Sequence, residues 1–420
     1  MRKWRRHGVI GTLALALCGT AAPQFALAGD GLHNERLMPG QLPEAPIADQ
    51  GVWLREPYDP FFDVDWSVAL RGAYTKTPTL EHYDTMLAPH LRLEHIGVRA
   101  AIAAEGDAEI VREQDGRLSV TGLRLGLDAG YDLDSVTRAT ATADLTLSQP
   151  LAGTPGVNST VAIAPQTLSG SAGVGVTRQF GRFNLGVTGT VQRSLYGDTT
   201  RTDGTVVSNA EENLWSLDGT LRVGYQVTPV FEVFGEAGAG RDLFDNPSSS
   251  LGVKADATDM TLVAGVTGRW NSTLEATAAT GVTLRRFDVA ALGEVQAQVY
   301  DASIVFTPDP TLRLRAGLNT TVAPPGPDNA GTARVEYTAS FGAEYTVNSW
   351  LAMRARAAWN TATFTGSGNT ETGYSLGAGA DYKINAHTAI GADYSYSQAL
   401  TTSDGLQEAH RVTVGVTVSR

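Results

Sequence analysis

Apolar and polar residues alternate with a period of two over much of the segment from Thr332 to Arg420. In its first part every second residue is apolar, and the residues between are Arg, Glu, Thr, Ser and Gly. A period of two places all the apolar side chains on one face of a β-strand. These apolar positions are Ala333, Val335, Tyr337, Ala339, Phe341, Ala343 and Tyr345.

The same alternation resumes in several later stretches, and their second face is charged or rich in glycine. The apolar stripes start again near Met353, Tyr374, Ile390 and Val412. A soluble β-sandwich would bury the apolar face. A membrane β-barrel instead turns this face toward lipid and keeps the polar face around a wet lumen.

We predict an all-β fold, a closed antiparallel transmembrane β-barrel of about 18 strands formed by residues 65–420. A count of 16 stays open for two reasons. The alternation changes parity between Val299 and Ile304, where a β-bulge would explain it, and the stretch from Leu87 to Val111 is irregular. Strands are predicted to start near Trp66, Leu87, Val98, Leu118, Val136, Ser169, Phe183, Leu214, Val230, Met260, Thr273, Glu294, Leu312, Thr332, Trp350, Gly373, Thr388 and Arg411.

Short turns alternate with longer polar loops such as residues 197–212, which is typical of outer-membrane barrels. Propeller blades and solenoid repeats have a similar spacing and are the alternatives to a barrel. The turns, rich in Gly, Pro, Asn, Asp and Ser, are predicted near Ile96, Asp134, Gly181, Thr228, Ser272, Asp309, Asn348 and Ala386. Seven aromatic residues precede these turns and predict an interfacial girdle: Tyr131, Phe180, Tyr225, Trp270, Phe306, Tyr345 and Tyr382.

Residues 1–28 have the organisation of a cleaved secretory signal peptide. A basic start is followed by an apolar run and by the motif Ala26-Leu27-Ala28. A lipoprotein signal at Cys18 is the alternative, but Leu17 stands where a small residue is expected. Residues 29–64 are rich in Pro, Gly and acidic residues without periodicity, and predict a flexible periplasmic arm or, alternatively, a docking segment.

Charge and cysteine content exclude several classes of function. The chain of 420 residues has a formal charge of −12, which becomes −16 on loss of the four cationic residues of the signal peptide. Its one cysteine lies in that peptide, so a mature chain has neither a disulfide framework nor a thiolate metal site. The negative charge argues against nucleic acid as a partner.

Three segments resemble a known family. Residues 56–61 (EPYDPF) lead into residues 64–74 (VDWSVALRGAY), and residues 83–93 (YDTMLAPHLRL) follow. Together with the closing residues 410–416 (HRVTVGV), these are similar to the putative β-barrel porin type 2 family of Gram-negative bacteria. The resemblance implies a porin-like barrel in the outer membrane, without catalytic residues. It also implies a link to extracellular polysaccharide production, which is associated with some relatives.

No catalytic, cofactor-binding or metal site is predicted. His90 and His95 are five residues apart, so they lie on opposite faces of a strand and do not share a metal. Glycine pairs such as Gly377 and Gly379 lie inside predicted strands and lack the strand–turn–helix context of a phosphate-binding loop. A membrane-barrel enzyme is the least favoured hypothesis, because no nucleophile and base are brought together by a local motif.

The alternation assigns a set of charged residues to the lumen. Arginine dominates between Leu312 and Trp359, and a basic stripe would attract anions over a Debye length of about 8 Å and bias permeation. Alternatively, these arginines pair with carboxylates across strands and stiffen the lumen. The predicted pore-lining residues are Arg71, Arg92, Arg124, Arg222, Arg313, Arg315, Arg334, Glu336, Arg354 and Arg356.

These observations favour a passive channel with a charged aqueous lumen, linked to polysaccharide export through the family resemblance. The alternative is a structural or surface-interaction barrel whose lumen is plugged. The expected partners are outer-membrane lipid, lipopolysaccharide, the barrel assembly machinery and polysaccharide export components. Neither a cofactor nor nucleic acid is expected.

Overall fold

The computed structural model describes residues 62–420 apart from 79, 113–115 and 117. The predicted signal peptide and residues 29–61 of the predicted arm lie outside this part of the chain. The first strand begins at Asp63, two residues before the predicted start of the barrel. In the described part, no helix has the length and apolar character needed to cross a membrane.

Eighteen long antiparallel strands form a single sheet that closes on itself, because the first strand, β1, pairs with the last, β21. The strands of this barrel are β1 (Asp63–Lys76), β2 (Glu81–Ile96), β3 (Ala100–Arg112), β4 (Leu118–Asp132), β5 (Thr137–Ser148), β7 (Thr167–Phe180), β8 (Phe183–Tyr196), β11 (Leu214–Gln226), β12 (Phe231–Phe244), β13 (Ala257–Trp270), β14 (Leu274–Phe287), β15 (Glu294–Asp309), β16 (Leu312–Ala323), β17 (Ala333–Thr346), β18 (Leu351–Thr365), β19 (Thr370–Asn385), β20 (Thr388–Thr401) and β21 (Gly405–Ser419).

Three short strands form a separate sheet in the order β10-β9-β6. They are β6 (Val161–Ile163), β9 (Thr199–Arg201) and β10 (Val206–Val207). Two short 3-10 helices, Ala210–Glu212 and Ala290–Leu292, lie in loops at the same end of the barrel.

The count of 18 strands confirms the prediction, and the alternative of 16 is wrong. The predicted bulge between Val299 and Ile304 is also wrong, since the register of β14 against β15 is continuous. The parity changes because Val299 faces the lumen whereas Ile304 is exposed on the outer face. The register of β15 shifts later, between Phe306 and Asp309.

The two faces of the barrel differ along every long strand. On β21, Val412, Val414, Val416 and Val418 are all exposed on the outer face, 43–52 % each, and the residues between them are half-buried. A soluble protein would not expose such a band. Lipid covers an apolar band of this kind in an outer-membrane barrel.

Two rings of aromatic side chains bound this band. At the short-turn end, Tyr131, Phe180, Tyr225, Trp270, Tyr345 and Tyr382 are exposed, and Phe306 lies half-buried beside Leu274. A second ring lies at the long-loop end, at Tyr74 of β1, Trp215 of β11 and Tyr374 of β19. These residues are eight to ten positions from Trp66, Tyr225 and Tyr382, which lie at the short-turn end of the same strands. Nine to eleven tilted strand residues cross a bilayer, so the spacing matches a membrane.

Several of the short turns are stabilised by the same pattern of hydrogen bonds. Asp134, Thr228, Asp309 and Asn348 each accept hydrogen bonds on a side-chain oxygen from backbone N–H groups two and three residues later. Such Asx and Ser/Thr turns reverse the chain with few residues. The N–H of Val136, opposed by burial, lowers the pKa of Asp134, so this carboxylate stays ionised and keeps accepting.

The face assignment predicts opposite outcomes for neighbouring residues of β8. Val187 is 51 % exposed on the outer face, and Thr188 points into the lumen opposite Gly175 and Thr220. Val187→Arg should destabilise the barrel by about 2–4 kcal/mol, because a cation then lies in hydrocarbon. Thr188→Arg should change stability by much less.

The measurement is reversible urea unfolding of both variants in lipid vesicles. Equal destabilisation by the two substitutions would contradict the assignment of faces.

Candidate functional site

The wall of the lumen contains all of the residues predicted to line it. Arg71, Arg92 and Arg124 share the inward face with His90, Asp107 and Gly415 through the register of their strands. The same register places the others inward: Arg222, Arg313, Arg315, Arg334, Glu336, Arg354 and Arg356. Whether these side chains contact a passing solute stays a prediction.

Most of these arginines pair with carboxylates on the same strand or on a strand one or two positions away. The pairs are Arg92–Glu94 at 3.0 Å, Arg124–Asp144 at 3.9 Å, Arg222–Glu232 at 3.3 Å, Arg315–Glu344 at 3.5 Å, Arg334–Glu336 at 3.0 Å and Arg354–Asp393 at 2.6 Å. Among the described residues, Arg71, Arg313 and Arg356 form no ion pair. Pairing therefore neutralises much of the predicted basic stripe, but not all of it.

Charge is distributed unevenly around the lumen. On β16–β21 the inward cations Arg313, Arg315, Arg334, Arg354, Arg356, Lys383 and Arg411 outnumber the carboxylates Glu336, Glu344, Glu371, Asp381 and Asp393. On β2–β15 the inward carboxylates predominate; they include Asp84, Glu94, Glu105, Asp107, Asp128, Asp144, Asp218, Glu232, Glu236, Asp242, Asp259 and Asp301. We call the first sector the arginine wall.

A buried arginine that the sequence analysis did not identify lies on β14. Arg285 is 1 % exposed, with its guanidinium 2.6 Å from Asp242 and 2.8 Å from Asp259. A buried cation needs such partners because desolvation is costly. The alternation left it ambiguous, since Arg285 and Arg286 are adjacent and only one can face inward.

An apolar cluster lies on the inward face at the long-loop end of the same sector. Leu214 pairs with Phe244, and Ala257 pairs with Phe287, at the ends of β11–β14. The cluster also includes Ala255, Val295 and Ala333, with Leu251 and Leu292 from the loops packed against it. Inward-facing apolar residues here are buried by the loops that fold over them, which explains the apolar inner face of β15.

Two loops and the small three-stranded sheet that they form reach across the barrel mouth. We call them the roof: residues 149–166, between β5 and β7, and residues 197–213, between β8 and β11. Asn209 is buried in the roof and donates to the carbonyl of Gly197 and to Oγ1 of Thr199.

The roof is attached to strands about one third of the way round the ring. Arg201 Nη2 lies 2.5 Å from Asp328 Oδ1, in the loop between β16 and β17. Ser159 donates from N and Oγ to Asp404 Oδ1 at 3.0 and 2.6 Å, in the loop between β20 and β21. Gln407 Nε2 donates to the carbonyl of Val157 at 3.0 Å.

These attachments limit what can enter. Eighteen strands about 4.8 Å apart and tilted by about 40° form a ring on the order of 35 Å wide, which leaves room for an aqueous channel. Because the roof spans a chord of this ring, a solute entering from the long-loop end must pass beside it. The roof is therefore the candidate constriction.

One cluster in the described part of the chain has the composition of a metal site. His90, Glu105 and Asp107 place a ligand atom each within 4.8 Å of one another on the inward face of β2 and β3. His90 Nδ1 is hydrogen-bonded to Asp107 Oδ1 at 2.7 Å, which accounts for two of the three groups without a metal. His95 faces outward and contacts Phe62, so the two histidines do not converge.

Comparison with known proteins identifies a family over most of the chain. A family model described as putative beta-barrel porin 2 matches residues 67–420. No curated protein sequence matches the chain.

Several solved outer-membrane proteins have a similar course of the chain. The outer membrane protein OpdK of Pseudomonas aeruginosa is 11% identical, covering 85% of this chain and 99% of its own, with a TM-score of 0.40. OccK2 (OpdF) of the same organism, solved in complex with glucuronate, is 10% identical, covering 85% and 98%, with a TM-score of 0.41. A loop L8 deletion mutant of OmpT of Vibrio cholerae is 15% identical, covering 86% and 100%, with a TM-score of 0.33.

The roof should loosen as pH rises toward neutrality. Burial, and then the charge of Glu211, raises the pKa of Glu212 from its usual 4.5 to about 7. The folded roof therefore holds this proton more tightly than the open loop does. The stabilisation is complete below about pH 4.5 and is lost as pH rises through about 7.

Limited proteolysis of residues 197–213 in membranes measures this effect. Cleavage should accelerate between pH 5 and pH 8 in the wild type, and Glu212→Gln should flatten the profile. A wild-type profile that matches that of Glu212→Gln would contradict the role of Glu212.

Proposed function

Since this chain belongs to the putative beta-barrel porin 2 family and is an outer-membrane β-barrel, we propose that it is a passive channel for small charged solutes. The observation that carries the proposal is the inward face of the closed 18-stranded sheet, which is polar and charged over most of its area. Solutes would diffuse through water along this face. No catalytic step and no cofactor are part of the proposal.

The roof sets the size of the proposed solutes. Its contacts from Arg201 to Asp328 and from Ser159 to Asp404 tie it to two distant loops. A polymer would need this span to move aside, whereas a small solute passes beside it. Polysaccharide export, expected from the family resemblance, gains no support from these features, so the proposal is limited to small solutes.

The arginine wall gives the proposed channel a preference for anions that pass close to it. Screening confines the field of these cations to about 8 Å, so the carboxylates of β2–β15 govern the other side of the lumen. Anionic solutes would then travel close to β16–β21. Three arginines without an ion pair in the described structure, Arg71, Arg313 and Arg356, supply the strongest part of this attraction.

A structural or surface-interaction barrel is the second candidate. The observation that favours it is the same roof, because firmly attached loops could close the mouth and present a surface to partners. The two candidates differ in whether ions cross the protein.

Conductance in planar lipid bilayers separates these functions. The wild type should show stepwise openings. Arg201→Ala should raise the mean conductance at least twofold, because it removes the ion pair of the roof with Asp328 and leaves only the hydrogen bond from Thr199 Oγ1 there. Arg241→Ala is the matched control: it breaks a similar pair, with Asp288, on the outer face. Silence of both wild type and Arg201→Ala would favour the structural barrel.

The anion preference is tested by replacing Arg313, Arg315, Arg354 and Arg356 with Ser. The loss of four cations from one wall should lower the anion-to-cation permeability ratio at least twofold. The measurement is the reversal potential in a salt gradient. An unchanged reversal potential would mean that the carboxylates of the lumen already neutralise this wall.

A further inference from the structure

Four glycines form a smooth patch on the inward face of β19, β20 and β21. Gly391 lies directly opposite Gly415, and Gly377 and Gly379 lie two positions apart on β19. We call this patch the glycine floor. Because these residues have no side chain, longer side chains from the flanking strands can lie flat across them.

Arginines from both edges cover this floor. A Cβ added to Gly377 would lie 2.7 Å from Arg356 Nε, and one added to Gly415 would lie 2.5 Å from Arg71 Cγ. Arg356 comes from β18 and Arg71 from β1, on either side of the floor. They are four strand spacings apart and four residues apart along the strands, so their backbones are about 23 Å apart, and their side chains converge from the two edges.

The two carboxylates on the glycine floor, Asp381 and Asp393, both form ion pairs with Arg354. Arg354 donates from Nε and Nη2 to the two oxygens of Asp393, at 2.9 and 2.6 Å, and from Nη1 to Asp381. Arg71 and Arg356 form no ion pair in the described part of the structure. Asp393 lies on β20, two strands from each of them, and the strand registers place it midway between Arg71 and Arg356.

The five side chains, three guanidiniums and two carboxylates, carry a formal charge of +1. A guanidinium presents a fork of donors that matches one carboxylate. The guanidiniums of Arg71 and Arg356 are separated by the carboxylate of Asp393, which would repel a compact anion placed between them. The arrangement fits an anion with two separate charged groups, one for each guanidinium.

We propose that the glycine floor is a binding site for a small dicarboxylate, held with one carboxylate on Arg71 and the other on Arg356. Arg354 is the positioning residue, since it neutralises Asp381 and Asp393 beneath the ligand. The site deepens the proposed channel function by naming a class of solute. Equilibrium binding can nevertheless be measured without conduction, so the two proposals can fail separately.

Calorimetric titration of the full-length barrel in detergent with succinate tests the site. Arg71→Gln and Arg356→Gln should each weaken binding at least tenfold, because each removes one fork. Acetate should bind at least tenfold more weakly than succinate to the wild type. Arg138→Gln, an equal change of charge inside β5 on another sector, should change binding less than twofold.

Gly377→Ala separates geometry from charge. It keeps every charged group but places a methyl against the Nε, Cγ and Cδ atoms of Arg356. Binding should weaken severalfold as the arginine is lifted from the floor. Circular dichroism and the shift in gel mobility on boiling verify that each variant is folded.

Loss of binding that is equal in Arg71→Gln, Arg356→Gln and Arg138→Gln would overturn the proposal in favour of general electrostatic attraction. Unchanged binding in Arg71→Gln and Arg356→Gln would also overturn it. Succinate binding by a protein that is silent in bilayers would retain the site and reject the channel. Conductance without succinate binding would retain the channel and reject the site.

Discussion

Pairing of every long strand with two neighbours is the constraint on which the structure depends. In hydrocarbon no water satisfies a free backbone N–H or C=O group, so an open edge is not tolerated. The pairing of β1 with β21, from Ser67 opposite Ser419 to Lys76 opposite His410, removes both edges at once. Closure then creates an inside and an outside, and the period of two decides which side chains meet lipid and which meet water.

The charged side chains of the inner face are neutralised to different extents in different sectors of the barrel. Between β11 and β15, loops fold over the wall, Arg285 is held by Asp242 and Asp259, and an apolar cluster fills the space above. From β18 to β21 no such cluster is present among the described residues, and a smaller cluster of Ala73, Met86 and Val111 lies on β1–β3. The glycine floor leaves Arg71 and Arg356 without an ion pair in the described structure. Charge is neutralised within the protein in the first sector, whereas in the second the proposed ligand would neutralise it.

Local features of the sequence were enough to predict the strands, their number and the turns. Alternation alone assigns Val414 to the outer face and Thr413 to the inner face. Asp134 is a residue type favoured in turns, and its side chain accepts the hydrogen bonds that stabilise the turn. Most of the inward arginines, though not Arg285, were predicted in the same way, but their partners were not. Arg354 meets Asp393 across an intervening strand, and Arg201 meets Asp328 in a loop 127 residues away. Such contacts depend on curvature and loop course, which a periodic pattern does not contain.

The alternation of apolar and polar residues breaks at one place, on β15. Val299 and Ile304 are both apolar but lie on opposite faces without a bulge between them, and Val295, on the inner face with Val299, packs in the apolar cluster beside Leu251 and Leu292. Arg285 lies two residues from the long-loop end of β14, whereas Arg71 and Arg356 lie at least five residues from either end of their strands. On the proposed function, a solute entering beside the roof would meet the apolar and fully paired sector first. It would then reach Arg71 and Arg356 at mid-height, where water and wall compete for its charge. A constriction above and a binding surface below would select solutes in sequence, first by size and then by charge.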